Sequence, residues 1–323
     1  MAYAAGDKIL DDEFNVFVAS TSDPFGFNHF AGTGATVYGL GQAAIPIVAG
    51  GTTTITAAQW NSLLAGIDNI ANHTNDTMTA RTAVTTGDTI AIKSAVAADL
   101  ATLAASVAGG SANATALSAG SELRSSRSGT RYAGSHIVEH SITFSNANEA
   151  RFFFNAGGKI RVNLTRVANG GGAATDKDDS VDEMITAMGN FDIGSLVSTR
   201  SGTTETLTTD GFAIGFQDVT TSYQTVFLLT QANGTYTSMT LKGEIKANAT
   251  AGSTTVITIK MSLTDADGGD ILYTDGNTSS IDEFENFIGT TDFATLLLLP
   301  TDAQGLDPVY TLSASAEVSN TTA

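Results

Sequence analysis

The sequence predicts an α+β chain, mainly β. A small helical and irregular N-terminal region precedes an antiparallel β-sandwich-like domain. Three observations lead there. From residue 135 onward, short runs alternate apolar and polar side chains, with Gly, Asn and Asp turn signals between them. Before residue 110, apolar side chains recur at helical intervals instead. Between the two, residues 111–134 are mostly Ser, Ala, Asn, Gly and Thr with Arg124, Arg127 and Arg131, and read as a linker. The expected division is therefore 1–110 as a helical repeat and anchoring region, 111–134 as linker and 135–323 as the β domain.

The N-terminal region carries a weak internal repeat. Ile9, Phe14, Asn15 and Phe17 share a frame with Ile55, Trp60, Asn61 and Leu63: Ile, four residues, an aromatic, Asn, one residue, an apolar side chain. The frame predicts helices over 11–19 and 57–71, with Phe14 and Trp60 equivalent and packed near Ile9 and Ile55. Asn15 and Asn61 are expected to make matching backbone or cap hydrogen bonds. Thr56 and Gln59 have the spacing of a capping box. A third copy at Ile90 lacks the aromatic and the Asn. The Gly-dense stretch 25–42 reads as an irregular loop. Its glycines are followed by no Gly-Lys-Ser/Thr, so no phosphate loop is expected there. Residues 91–107 predict a helix whose Val96, Leu100, Leu103 and Val107 form a heptad-like seam, to pack on the Trp60 helix or on its own copy in other subunits.

In the β domain, 159–167 alternates most cleanly. Ile160, Val162 and Leu164 are expected inside, Lys159 and Arg161 outside. Further strands are expected over 136–144, 212–216, 224–230, 235–247 (with a bulge), 254–263 and 309–318. Helical inserts are expected over 146–155 and over 179–188, where Val181, Met184, Ile185 and Met188 make a stripe.

Composition narrows the function classes. There is no Cys, which removes disulfides and thiolate metal sites. The formal charge of −18 opposes binding to nucleic acid and anionic lipid. No apolar run reaches the ~20 residues of a membrane helix, so no membrane insertion is expected. The N-terminus lacks the basic start and apolar stretch of a signal peptide. Seven of the fifteen basic residues lie between Arg124 and Arg166, as a solvated surface or a docking patch for an acidic neighbour.

Chemistry-bearing patterns are few. His136 and His140 share one face of a strand with Glu139 on the other. That is two metal ligands at most with no third in sight, so a surface or interface pair is expected. Asp265, Asp267 and Asp270 resemble half of a calcium loop, but the twelfth position is Gly276 where a Glu is required, so an Asp-rich turn is expected. No nucleophile elbow occurs. The acidic pairs Asp11-Asp12, Asp178-Asp179 and Asp182-Glu183 fit solvated helix starts. Trp60 lies in a helix stripe, as core rather than a sugar platform. No catalytic residue, cofactor or metal site is assigned, and no enzyme is expected.

Two segments carry a family resemblance. Residues 51–74, with Ile55-Thr-Ala-Ala-Gln-Trp-Asn61 and Ile70-Ala-Asn-His-Thr74, are similar to a motif near the start of virion structural proteins of tailed marine phages, cyanophages in particular. The opening residues 4–15 and the stretch Gly32 to Gln42 fit the same group. Residues 142–161, with Phe152-Phe-Phe-Asn-Ala-Gly-Gly158, resemble the β-rich part of those proteins, as do Met188-Gly189 and Gly211-Phe-Ala-Ile-Gly-Phe216. The group often carries a Trp in the helix before Met-Gly, where Met184 or Ile185 stands here. The resemblance implies a non-enzymatic virion component, assembled in the host cytoplasm and exposed on the particle. A tail-associated fibre, collar or baseplate subunit is expected first, then a head decoration or neck protein, then a carbohydrate-binding module for host-surface glycan. Expected partners are other virion proteins and further copies of the chain, a trimer first, docked through residues 1 to about 130. The apolar seam, the low-charge stretches 31–67 and 100–121 and the Arg-rich segment motivate that assembly.

Overall fold

A lone extended segment must find partners for its backbone amides, and the helical part of this chain solves that with side chains. The computed structural model describes residues 11–22, 25–31, 43–50, 55–74, 76–88, 93–108, 117–132, 134–155, 157–168, 176–202, 207–211, 214–231, 238–250, 253–266, 287–300 and 312–322. Two compact units emerge. One comprises residues 1–118, 145–158 and 299–311, the other 119–144, 159–298 and 312–323.

The first unit contains α1 (Asp11–Ala19), α2 (Phe27–Ala31), α3 (Ala57–Thr74) and α4 (Lys93–Ala108). Their apolar stripes share one core: Phe14, Phe17, Val18, Phe27, Phe30, Trp60, Leu63, Ile67 and Ile70, with Val96, Leu100, Leu103 and Val107 of α4. The heptad-like seam is thus covered by the chain's own helices. Asp11, Asp12 and Glu13 occupy the first turn of α1, where carboxylates favour the helix dipole. At α3, Gln59 Oε1 accepts from the Thr56 amide at 2.9 Å, and the Gln59 amide donates to Thr56 Oγ1 at 3.3 Å, closing the expected capping box.

The two asparagines of the repeat do the same job, as expected. Phe14 and Trp60 are each the fourth residue of their helix and fully buried. Asn15 Nδ2 donates to the Val48 carbonyl and the Val48 amide donates to Asn15 Oδ1, both at 2.8 Å. Asn61 does the same with Val84, both bonds at 2.9 Å. A third clamp, absent from the sequence reading, joins Asn28 of α2 to Ile45 at 2.8 and 2.9 Å. A primary amide offers one donor side and one acceptor side, so it stands in for the neighbouring strand that these segments lack. Each segment is fastened twice. Residues 45–48 are held by Asn28 and Asn15. Residues 79–84 are held by Asn61 and by Asp99 of α4, which accepts from the Thr79 amide at 3.3 Å and pairs with Arg81. Ile9 and Ile90 lie outside the described residues; Ile55 packs on the core as expected. Asn61→Ala strands a half-buried amide and carbonyl and is expected to cost about 1–2 kcal/mol in urea unfolding. A change below about 0.5 kcal/mol would show that water replaces the clamp.

The second unit is an antiparallel β-sandwich. One sheet has the order β1 (Leu117–Tyr132), β10 (Phe287–Pro300), β3 (Lys159–Val167), β4 (Phe191–Ile193) and β5 (Ser198–Arg200). The other has the order β11 (Leu312–Thr322), β2 (Gly134–Phe144), β9 (Val256–Asp265), β8 (Thr240–Ala247), β7 (Gln224–Gln231) and β6 (Leu207–Gly211). β10 pairs antiparallel with β3, and β2 pairs antiparallel with both β9 and β11. Ile160, Val162 and Leu164 are buried, with Lys159 and Arg161 on the outer side. Val138, Ile142, Ile257, Ile259 and Leu263 face inward from the second sheet, and Phe191 meets Phe227 between the sheets at 4.6 Å. α6 (Asp176–Met188) lays Val181, Met184 and Met188 onto this core. α5 (Ala147–Asn155) forms where a helical insert is expected, but it groups with the first unit; Gly157 then turns the chain with φ +89°.

Several expectations are corrected. Most of the supposed linker 111–134 is β1. Its small polar residues give no alternating signal, yet β10 supplies its sheet neighbour. The β unit consequently begins before residue 135 and excludes 145–158 and 299–311. The strand expected at 212–216 lies instead at 207–211; residues 212 and 213 are outside the described residues, and a 3₁₀ turn occupies Phe216–Asp218. The bulge expected in 235–247 falls on its partner, where Val226 is the extra residue between Thr225 and Phe227. The Phe227 ring then lies where a Cβ on Gly243 would stand, 2.3 Å away. The loop expected over 25–42 contains α2; residues 32–42 lie outside the described residues.

Candidate functional site

Among the described residues, a connected set of chemically capable side chains sits between the two sheets. β2 alternates so that His136, Val138, His140 and Ile142 point inward. Opposite them, β10 presents Thr291, Phe293 and Thr295. His136 Nδ1 lies 2.8 Å from Thr291 Oγ1, and His140 Nδ1 lies 2.9 Å from Thr295 Oγ1. Two histidines four apart thus meet two threonines four apart. The remaining ring nitrogens reach the edge strands: His136 Nε2 is 3.1 Å from Asn320 Oδ1, and His140 Nε2 is 2.8 Å from Ser125 Oγ. Ser125 Oγ in turn donates to Glu317.

One protonation pattern satisfies every contact. The Asn320 oxygen can only accept, so His136 carries its proton on Nε2 and Nδ1 accepts from Thr291. Ser125 gives its single proton to the Glu317 carboxylate, so His140 donates from Nε2 to Ser125 and accepts from Thr295. Both rings are neutral, and burial pushes both pKa values below the ordinary histidine value.

Ser125, His140 and Glu317 are the residue types of a hydrolase triad, but the wiring differs. In a triad the carboxylate orients the far nitrogen of the base, and the base takes the proton of the nucleophile. Here a threonine holds the far nitrogen, and the carboxylate competes for the serine proton. Ser125 is 2% exposed, which leaves no room for a substrate at its oxygen. The network registers β1 and β10 over β2 and β11, a use for which fully paired buried polar groups suit. The expected surface or interface placement of His136 and His140 is corrected accordingly: they are 0% and 3% exposed.

The other candidates are engaged elsewhere. Asp265 closes β9 and receives Lys177 Nζ at 2.8 Å, so it is no free calcium ligand; Asp267, Asp270 and Gly276 lie outside the described residues. Among the described residues no group of three His, Asp or Glu is placed to hold a metal ion. Asp178 and Asp182 on α6 both receive Arg166, and Asp179, Asp182, Glu183 and Thr186 line a surface cleft beside that pair. Of the basic segment, Arg124 pairs with Glu122 and Asp292, and Arg161 grips Asp192 through two bonds of 2.6 and 2.8 Å. Much of the supposed docking patch therefore pairs within the chain. Trp60 is core, edge-on to Phe17 at 6.2 Å. On the outer face of the second sheet, Lys242 and Lys260 hold Glu244 from both sides at 2.7 and 2.6 Å. Burial pushes the Glu244 carboxyl up, but the two ammonium groups outweigh that and hold it below its usual value.

Among the described residues no helix is long and apolar enough to cross a membrane. Compared with family models, curated proteins and solved structures, the chain matches none.

Proposed function

We propose that this chain is a non-enzymatic structural component of a tailed-phage virion, tail-associated, and that its helical unit attaches it to neighbouring virion proteins. The observation that carries the reading is the use to which its reactive side chains are put. His136 bonds Thr291 and Asn320, His140 bonds Thr295 and Ser125, Ser125 bonds Glu317, and three asparagines, which could have served a ligand, pin the chain's own backbone. Such a molecule invests its polar groups in a fixed shape, as a particle component must. The segments that carry the phage resemblance have structural jobs of the same kind: Trp60 and Asn61 build the repeat, and Phe152, Phe153 and Phe154 are buried on α5.

The test is made on the particle. Purified virions of a phage encoding the chain are expected to contain it by peptide mass spectrometry, and a cryo-electron-microscopy map is expected to place it on the tail. Density on the head or neck would reject the tail assignment and leave the virion role. Absence from gradient-purified particles would overturn the proposal.

A further inference from the structure

The contact between Lys177 and Asp265 asks for an explanation that an ion pair does not supply. Nζ and Oδ2 are 2.8 Å apart, and both side chains have no solvent exposure at all. Two full charges in such a place are expensive, and a buried ion pair commonly contributes less than apolar groups of the same volume. Neither residue is a surface feature caught by chance: Lys177 lies in the first turn of α6, and Asp265 is the last residue of β9. A lysine amine and a carboxyl group in contact, in a water-free interior, are the reactants of an amide.

We propose that Lys177 and Asp265 condense into an intramolecular isopeptide bond. In the first step one proton passes from Nζ to the Asp265 carboxylate across the 2.8 Å contact, which leaves a free amine facing a carboxylic acid. The free amine then attacks Asp265 Cγ, a C–N bond forms, and the C–O bond to the protonated oxygen breaks. The second proton lost from nitrogen leaves with that oxygen as water. No oxidant, reductant or outside reagent is needed, and the nitrogen keeps one hydrogen. Fixed contact replaces the collision of free amine and acid with a reaction inside one molecule, where effective concentrations reach ~10⁵ M or more. Exclusion of water favours the amide over its hydrolysis, and the product replaces two buried charges with one neutral group. The bond would close a loop between residues 88 apart and tie α6 covalently to the second sheet.

The full-length chain, purified folded and then denatured, is measured by intact mass spectrometry. The expected mass is one water below the sequence mass, and a protease digest is expected to yield a branched peptide joining Lys177 to Asp265. Asp-Gly sequences such as Asp210-Gly211 and Asp267-Gly268 can lose the same water as succinimides. Mild alkali separates the two, since it restores the mass of a succinimide and leaves an isopeptide unchanged. Asp265→Ala and Lys177→Ala are each expected to show the full sequence mass, a readout that holds whether or not the variants fold. A wild-type chain at full mass, or a water loss that maps to an Asp-Gly site, would overturn the proposal.

Discussion

Asp99→Ala is expected to destabilise the helical unit by about 3–5 kcal/mol, the penalty for leaving one member of a buried ion pair alone. The Arg81 side chain is 6% exposed and that of Asp99 9%, so water cannot replace the lost carboxylate. The Thr79 amide and hydroxyl lose their acceptor in the same step. Burial already pushes the Arg81 guanidinium below its ordinary pKa, with Asp68 partly countering it. The measurement is urea unfolding followed by Trp60 fluorescence, a local reporter of this core. Arg81→Met added to Asp99→Ala is expected to recover part of the loss, because it removes the stranded charge. A single variant within about 1 kcal/mol of the wild type would show that Arg81 escapes to solvent.

Acidification from pH 6.5 to 5 is expected to weaken the β-sandwich by up to about 1.4 kcal/mol per pH unit for each of His136 and His140. Their folded pKa values are lowered, so the unfolded chain binds protons first. Stability is full above the unfolded value of about 6.5 and falls as pH drops through it. Protonation puts a hydrogen on Nδ1, facing a threonine hydroxyl that now donates to it. The surroundings are Ser125 and Arg127 on β1, Asp292 on β10, Glu317 on β11, and Leu263 and Ile259 beside the rings on β9. Asp292 and Glu317 favour the charged rings, but burial outweighs them. Thermal unfolding across this range, repeated on His136→Gln, is expected to show a shallower slope in the variant. A flat profile for the wild type would mean that the rings charge in place.

The regular elements were legible where one residue type repeats with one period. Alternation marks β3 and its facing, and the frame shared with the Trp60 helix locates α1 at residues 11–19. The Asn15 and Asn61 bonds followed from their matched frame. β10 escaped because Thr291 and Thr295 interrupt its apolar face; they are there to meet His136 and His140, a pairing 155 residues apart that no local pattern reveals. β1 escaped for the same reason, since Ser125 is its inward anchor and its partners are His140 and Glu317. The histidine pair itself was visible, but its burial was not, because polar residues read as surface until their partners are known. The α4 seam is legible as apolar, and the sequence leaves open whether α3 or another copy covers it; the chain's own core does.

The asparagine clamp has an evolutionary corollary. A strand in a sheet must keep its register with two neighbours, so lengthening a sheet disturbs everything beside it. A helix that pins one segment through one amide answers only to that segment. Units of this kind can be duplicated in tandem at little risk to what already stands, each copy bringing its own fastener, Asn15 and Asn61 at the fifth helical position and Asn28 at the second. α4 has Ala97 at the fifth position and fastens its segment through Asp99 instead. In such an arrangement, the number of units is a property that gene duplication can tune.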